Sequence, residues 1–251
     1  MQTATTYDSE YYHTYQMVNR EAPEQLLRWI PFLEERRGPG RLLEIGCGLG
    51  AFLEKAHQRG WAVQGIELSS WAANQACEAI RAGVVLARGE ALPFRSGVFD
   101  AVVSHHVFEH LLDPIQALRE SRRVCRPGGR LLIVLPNELQ TLFSRWASRS
   151  PDELSKGRGL MATMQRWLAY QTPEPPQESS HVFFFQPRVL RMAARLTGWH
   201  PLRLTTYRSH RDTRSGYVLG GFVKTALYAL EECLQRGREM TLLAEAREAA
   251  P

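Results

Sequence analysis

The fold is decided by the stretch LLEIGCGLG at residues 42–50, in which an apolar run leads into glycines at alternate positions. The apolar run is typical of a buried strand, and the residues after it, 50–59, have the periodicity of a helix. Glycine allows a sharp turn and a close approach of backbone to a ligand, because no Cβ stands in the way. A helix that begins at such a turn also presents unpaired N–H groups. The stretch therefore predicts a strand–turn–helix unit at a ligand site.

An acidic residue completes this signal. Glu67 closes the next apolar run, 61–67, and follows Gly46 by 21 residues. A carboxylate there can accept hydrogen bonds from both hydroxyls of a ribose, so the pattern predicts a bound nucleoside. The pattern does not decide which nucleoside, because Gly46, Gly48 and Ala51 also satisfy the G-x-G-x-x-G/A pattern of dinucleotide-binding proteins.

Strand and helix patterns alternate outward from this segment. Strands are predicted at 41–45, 61–67, 84–87, 99–104, 131–135, 202–207 and 240–246. Helices are predicted at 50–59, 69–81, 113–125, 187–196 and 217–235, with Ser69 or Ser70 as the N-cap of the second and a turn at 126–129. Apolar strands separated by helices indicate a doubly wound α/β fold whose parallel sheet is covered on both faces.

Two segments lie outside this alternation. Residues 1–40 are predicted to form a helical lid, with Leu26, Ile30 and Leu33 on one face. Residues 138–180 are predicted to be a helical cap inserted after the fifth strand, and they end in a proline-rich linker. The main domain is then 41–251.

The composition limits the class of protein without defining its function. The chain has 251 residues, 44% hydrophobic and 23% charged, which suits one globular domain and excludes a disordered or collagen-like chain. Its net charge is +5, and 28 of its 31 basic residues are arginine. Such a chain invites a nucleic-acid interpretation, but a compositional bias explains the same excess. The group Arg119, Arg122, Arg123 and Arg126 is expected on an outer helix, away from the ligand site.

The cysteines and the apolar runs give information on the cellular location of the protein. Four widely spaced cysteines without a C-x-x-C pair favour neither a zinc knuckle nor a disulfide framework. The chain does not open with a signal-peptide pattern, and its longest apolar stretch, 217–230, is interrupted by Lys224. We therefore expect a cytoplasmic protein without a membrane span.

Four further segments follow the glycine stretch as an ordered series, at Arg88–Phe94, Gly97–Val103, Val107–Pro114 and Arg126–Leu131. Together with that stretch they resemble class I S-adenosylmethionine-dependent methyltransferases over residues 41–137, and most of all the ubiquinone-biosynthesis O-methyltransferase branch. The resemblance implies a Rossmann-like, doubly wound sheet of seven mostly parallel strands with a last antiparallel strand. It implies S-adenosylmethionine as cofactor and S-adenosylhomocysteine as product.

The resemblance also implies which residues hold the methionine end of the cofactor. Glu44, Gly46 and Gly48 would surround its ammonium and carboxylate groups, with Cys47 and Gly50 in the same turn.

The nucleoside end of the cofactor is implied to meet the second and third strands. Glu67 would hold the ribose and Leu68 would pack on the adenine face. Glu90 and Ala91 would meet the adenine edge, where Glu90 stands in place of the aspartate that many members carry.

Candidate catalytic residues follow the fourth strand. The resemblance implies that Ser104, His105 and His106 pass beside the sulfonium methyl group. An imidazole can accept a proton from a hydroxyl nucleophile, which makes His106 the first candidate base and His105 the second. His106 also opens an H-x-x-E-H pattern, but this pattern follows a strand directly and the ordered series already explains Glu109 and His110. No metal site is therefore predicted, and His106 stands where the resembled branch has an acid.

Three residues are candidates for the acceptor side. His181 opens a stretch that faces the substrate in the resembled branch, where it could assist deprotonation. Tyr11 and Tyr15 share one helical face of the predicted lid and could close over the acceptor.

The function favoured by the resemblance is methyl transfer to a small-molecule acceptor, at a hydroxyl oxygen, in natural-product or cofactor biosynthesis. Basic residues in the insertion are compatible with an acidic acceptor. The first alternative is N- or C-methylation of a small molecule. The second is a nucleic-acid methyltransferase, although the Asn/Asp-Pro-Pro-aromatic motif of amino-methylating enzymes does not follow the fourth strand. The third is a non-catalytic adenosyl-binding module. We expect a monomer or homodimer that binds no nucleic acid.

Overall fold

The structure is a computed structural model that describes residues 24–35, 38–80, 83–137, 182–183, 185–207 and 239–247. Most of the predicted lid, the whole predicted cap at 138–180 and the predicted helix at 217–235 lie outside these ranges. The proposed domain boundaries stay predictions.

The described strands form one seven-stranded sheet in the order β3-β2-β1-β4-β5-β7-β6. They are β1 Arg41–Ile45, β2 Ala62–Glu67, β3 Val84–Leu86, β4 Phe99–His105, β5 Cys125–Pro136, β6 Trp199–Tyr207 and β7 Glu239–Ala246. Strands β1 to β5 pair in parallel, whereas β7 runs antiparallel to both β5 and β6. The predicted α/β class, the seven strands and the antiparallel last strand are confirmed.

Helices fill the connections between the strands. They are α1 Glu24–Leu27, α2 Ile30–Glu34, α3 Ala51–Gln58, α4 Ser70–Ile80, α5 Pro114–Val124 and α6 Pro187–Leu196, with a single-turn helix at Phe108–His110. Ser69 is the N-cap of α4, because its Oγ accepts the Ala72 N–H at 3.3 Å. Asp113 caps α5 by accepting the Gln116 N–H at 2.8 Å, and Pro114 occupies the first turn, where its missing N–H costs nothing.

The core lies on both faces of the sheet. Along β1, Leu43 and Ile45 face a cluster that includes Leu118 of α5. Leu42 faces the opposite cluster, which includes Phe52 of α3. Alternate strand residues point to opposite faces, so this pattern gives three layers, helix–sheet–helix.

Two predicted elements differ from the structure. The helical pattern before β1 divides into α1 and α2, because Pro31 lacks the N–H that a continuous helix needs there. Strand β5 begins at Cys125 and includes the predicted turn at 126–129. The turn persists as a bulge, since the register with β4 passes from Phe99–Cys125 to Ala101–Arg130 and Gly128 has a φ of 72°.

This topology sets the place of the site. Ile45, the last residue of β1, pairs with Ile66 of β2 on one side and with Ser104 of β4 on the other. The chain changes direction across the sheet between β1 and β4. Ligands of doubly wound sheets bind at this switch point, outside the carboxyl ends of the strands.

Candidate active site

The turn after β1 needs its glycines. Gly46, Gly48 and Gly50 have φ values of 69°, 52° and 79°, in the left-handed region that side chains with a Cβ disfavour. A Cβ on Gly46 would also lie 2.4 Å from Cγ2 of Val107. Because Val107 follows β4, the Gly46 position brings the exits of β1 and β4 into direct contact.

Glu67 joins this turn to β2. Its Oε2 accepts the Gly48 N–H at 3.0 Å, and its Oε1 accepts the N–H groups of Leu68 and Ser69 at 2.8 and 3.0 Å. A carboxylate can accept several hydrogen bonds at once, as the predicted contact of Glu67 with ribose hydroxyls requires. Glu67, the residue predicted to bind the ribose, is therefore joined to the glycine turn by hydrogen bonds within the protein itself.

Glu44 lies in β1 beside Glu67 and is 4% exposed. Its Oε2 has no hydrogen-bond partner among the described residues. Burial, and then the charge of Glu67, raise the pKa of Glu44 well above its usual range. A buried, unpaired carboxylate oxygen is costly without a donor, and the ammonium group of a methionine moiety is such a donor. The residues present therefore fit the methionine end of S-adenosylmethionine.

Cys47 is in the turn, but its side chain points away from solvent. Its Sγ lies 2.6 Å from where a Cβ on Gly65 of β2 would stand, so the thiol packs under the turn. Burial is the main cause that raises the pKa of Cys47 far above the usual thiol range. The thiol is therefore unreactive, and its visible role is packing.

The residues predicted to contact adenine differ in their exposure and in their hydrogen bonds. Leu68 is 53% exposed directly after Glu67, so its apolar face is open to a ligand. Ala91 is exposed as well. Glu90 differs, because its Oε1 accepts the N–H groups of Leu112 and Asp113 at 3.0 and 3.4 Å. Glu90 therefore ties the loop after β3 to the start of α5.

Arg123 and Glu120 of α5 hold the same loop. The sequence does not indicate these contacts. Arg123 donates to the carbonyls of Leu92 and Phe94 at 2.8 and 2.6 Å, and Glu120 accepts the Leu92 N–H at 2.9 Å. Arg123 lies on α5 as expected, and it also fixes the loop that carries Glu90 and Ala91, the predicted adenine contacts.

Two other arginines of the group also bind within the fold. Arg122 donates to the carbonyls of Gly198 and Cys125 at 3.2 and 3.3 Å, and Arg126 pairs with Asp100. Much of the basic charge of this group is thus used for packing of the domain.

At the exit of β4, Ser104 is buried and donates from its Oγ to the Ile45 carbonyl at 3.3 Å. Its hydroxyl therefore joins β4 to β1. His105 follows, and its ring meets the ring of His106 edge-on, with centroids 4.3 Å apart. Burial, and then the charge of His106, lower the pKa of His105 well below its usual value. His105 is consequently a neutral imidazole at neutral pH.

His106 has the opposite surroundings. Its Nδ1 lies 3.1 Å from Oε1 of Glu109 and its Nε2 lies 3.6 Å from Oε1 of Glu239. Burial lowers its pKa, but the hydrogen bond to Glu109 and the charge of Glu239 outweigh burial and raise the pKa to about 9. At neutral pH this ring is cationic, and a cationic imidazole has no lone pair with which to accept a proton.

Tyr11, Tyr15 and His181 lie outside the described residues. Val182 and Phe183, which follow His181 in sequence, both donate their N–H groups to the Glu109 carbonyl, at 2.7 and 3.1 Å. The chain that leaves the predicted cap is thus anchored beside the β4 exit.

Among the described residues, no group of three or more His, Cys, Asp or Glu side chains has an arrangement that could hold a metal ion. No helix in those residues is long and apolar enough to cross a membrane.

The glycine turn, the acid at the end of β2 and the strand order define a nucleoside-binding domain of the Rossmann-like, doubly wound class. Residues 43–133 match the family of methyltransferase domains. The chain thus carries a class I S-adenosylmethionine-dependent methyltransferase domain, whose cofactor is S-adenosylmethionine.

Similar proteins carry different names within this class. The human probable tRNA methyltransferase 9B is 35% identical over 108 residues, which are 41% of this chain and 22% of the human protein. The ubiquinone biosynthesis O-methyltransferase of Pseudomonas aeruginosa is 30% identical over 117 residues, 41% of this chain and 48% of that protein. This chain thus spans less than half the length of either relative.

A solved structure shares the fold across most of the chain. It is an S-adenosylmethionine-dependent methyltransferase of Thermotoga maritima, described as a possible histamine N-methyltransferase. Its TM-score is 0.58 at 19% identity, with 95% of this chain and 96% of that chain covered.

Proposed function

We propose that this protein methylates a small-molecule acceptor at a hydroxyl oxygen, with His105 as the base. The observation that carries this proposal is a neutral imidazole at the end of β4, next to the glycine turn after β1. A hydroxyl is a weak nucleophile until it loses its proton, so a neutral base beside the reacting atoms matches its chemistry. His106, the first candidate from the sequence, is less suited because its two carboxylate partners hold it as a cation.

Each residue has a separate task in this proposal. When bound, S-adenosylmethionine supplies an electrophilic methyl group, which passes to the acceptor and leaves S-adenosylhomocysteine. Glu67 accepts hydrogen bonds from the ribose hydroxyls, and Glu44 pairs with the ammonium group. His105 takes the hydroxyl proton of the acceptor on its free ring nitrogen. Fixed positions for these groups lower the barrier by alignment.

Two observations bear on the nature of the acceptor. The Pseudomonas relative is named for O-methylation, whereas the human relative is named for tRNA. Against a nucleic-acid acceptor, Arg122, Arg123 and Arg126 of this chain are bound to its own carbonyls and carboxylates. These arginines are therefore less available for phosphates, which favours a small molecule.

The test is a turnover assay with S-adenosylmethionine labelled in its methyl group. The acceptor panel holds phenols, catechols, hydroxy acids, carboxylic acids, primary amines and bulk tRNA, and mass spectrometry follows both S-adenosylhomocysteine and the labelled product. We expect release of S-adenosylhomocysteine to accelerate with a hydroxyl acceptor. We also expect His105→Asn to lose most turnover and to keep its affinity for S-adenosylhomocysteine.

Other outcomes separate the alternatives. Label only on amines or tRNA would overturn O-methylation and keep the methyltransferase. Tight binding of S-adenosylhomocysteine without turnover on any acceptor would support a non-catalytic adenosyl-binding module. Full turnover by His105→Asn would remove His105 from the mechanism.

A further inference from the structure

Two carboxylates hold one imidazole at the end of β4. Glu109 reaches Nδ1 of His106 at 3.1 Å, and Glu239 reaches Nε2 at 3.6 Å. We refer to these three residues as the His106 clamp. Glu109 belongs to the single-turn helix after β4, whereas Glu239 is the first residue of β7.

The sheet places Glu239 within reach of His106. Glu239 pairs with Pro136 of β5 on one side, and the His106 N–H donates to the Val134 carbonyl of the same strand at 2.9 Å. His106 itself has a φ of 53°, a conformation that residues other than glycine rarely adopt. A left-handed residue tied to β5 by its backbone and to two acids by its side chain indicates a constrained ring.

A proton on His106 offsets part of the negative charge of the clamp. Glu109 is 1% exposed, and Oε2 of Glu109 and of Glu239 have no hydrogen-bond partner among the described residues. A neutral His106 would leave two carboxylates side by side without a positive charge between them. Such an arrangement is unfavourable away from water, so the clamp favours the imidazolium form.

The clamp acts on its neighbour through the ring contact. His105 and His106 meet edge-on, with centroids 4.3 Å apart. A positive charge that is fixed on one ring disfavours a second proton on the other. The only other described imidazole near the clamp is His110, whose Nε2 lies 4.0 Å from Oε1 of Glu109. The arrangement thus favours a cationic His106 and a neutral His105.

We propose that Glu239 is a positioning residue for proton transfer, which together with Glu109 fixes the His106 ring and so keeps His105 free to accept the acceptor's proton. The role of His105 as base is taken from the proposed function. The clamp itself is independent of that role, because it concerns only groups within the protein.

The test compares Glu239→Gln with Glu245→Gln in the full chain. Both substitutions remove a carboxylate from β7, but Glu245 faces Arg130 at 3.4 Å, far along the strand from His106. NMR titration of the histidine ring signals reports both protonation equilibria without turnover. In Glu239→Gln we expect His106 to lose its proton about one pH unit lower than in the wild type. In Glu109→Gln/Glu239→Gln, which removes both acids of the clamp, we expect a neutral His106 at neutral pH and a His105 that gains a proton more readily. Glu245→Gln should leave both titrations unchanged.

The pH profile of kcat/KM tests the functional half of the proposal. Its acidic limb should move to higher pH in Glu109→Gln/Glu239→Gln, in which His106 has lost its charge, with KM for S-adenosylmethionine nearly constant. Unchanged histidine titrations in Glu239→Gln would overturn the clamp. A shifted titration of His105 with an unmoved acidic limb in the double variant would overturn the role of the clamp in proton transfer. A lack of turnover with every acceptor would overturn the proposed function and leave the titration result standing.

Discussion

The Glu67 carboxylate accepts the Gly48 N–H at 3.0 Å and thereby joins the end of β2 to the glycine turn of β1. Gly48 has a φ of 52°, so the donor is aimed by a backbone conformation that glycine adopts at little cost. Two parts of the predicted cofactor site that lie in separate strands therefore form one unit. A site built in advance loses less entropy when its ligand binds.

This unit makes the effect of Glu67 testable. Glu67→Ala should lower the affinity for S-adenosylhomocysteine by about tenfold or more, because hydrogen bonds to a charged group contribute about 1.5–3 kcal/mol. It also leaves three N–H donors without their acceptor and should lower Tm. Glu67→Gln keeps one acceptor oxygen and should lose less of both. Calorimetric titration and thermal melts measure these effects, with Glu54→Gln on the surface of α3 as control.

An unchanged calorimetric affinity of Glu67→Ala for S-adenosylhomocysteine and S-adenosylmethionine would contradict the assignment of the ribose site. A comparable loss in Glu54→Gln would show that the effect is not specific to Glu67.

A substitution at Gly46 gives a second prediction, in which the steric cost of a side chain can be separated from the cost of its left-handed backbone conformation. A Cβ at this position would meet Cγ2 of Val107 at 2.4 Å, and the φ of 69° disfavours any side chain. Gly46→Ala should therefore destabilise the protein by more than the roughly 1–2 kcal/mol of the left-handed conformation alone. The double variant Gly46→Ala/Val107→Ala should recover the steric part and keep the conformational part. Urea unfolding of the four proteins measures the coupling, and strict additivity would argue against the contact.

The order of strands and helices could be predicted because each is a continuous apolar or periodic run. Details that depend on a single hydrogen bond could not be predicted. Ser69 and Ser70 were equivalent as N-caps until the structure showed which hydroxyl meets the Ala72 N–H. The bulge at the start of β5 likewise depends on the pairing of β5 with β4. No local sequence pattern indicates that pairing.

The same limit applies to the site. The cofactor turn is local, so glycines and an acid at a characteristic spacing indicated it. The charge of His106 is not local, because one of its partners, Glu239, enters through β7 from the far end of the chain. No signal in the sequence links these residues, so the sequence alone favours His106 as the base. The contacts of Arg123 could not be predicted for a similar reason, since its acceptors are carbonyls of a distant loop.

Arg123 leads to a third prediction. Arg123→Met removes the donors that hold the carbonyls of Leu92 and Phe94. We expect a loss of about 1–3 kcal/mol in stability and a weaker affinity for S-adenosylhomocysteine, because the loop carries Glu90 and Ala91. Arg119→Met on the exposed face of the same helix is the matched control. Chemical unfolding and calorimetry give the two quantities. Equal behaviour of the two variants would show that Arg123 does not support the cofactor site.

The protonation of His106 predicts how stability depends on pH. Its pKa is raised from 6.5 to about 9 in the folded state, so its contribution is fully present below 6.5 and is lost as pH rises toward 9. Across this window the wild type should lose about 3 kcal/mol relative to His106→Gln. His105 does not interfere, since its lowered pKa leaves it neutral in both states above 6.5. Urea midpoints at a series of pH values measure the difference. Parallel curves for the two proteins would contradict a clamped imidazolium.

Glu44 predicts that cofactor binding releases a proton. Burial raises its pKa well above 4.5, so in mildly acidic buffer the free protein holds a proton that an unfolded chain has lost, and its stability falls as pH rises. An ammonium group beside Oε2 would favour the carboxylate and expel this proton. Calorimetric binding of S-adenosylhomocysteine in buffers of different ionisation enthalpy detects such a release as a buffer-dependent heat. Glu44→Gln should bind more weakly and lose that dependence. If the dependence were the same in both proteins, the proton would come from another group and Glu44 would not be the ammonium partner.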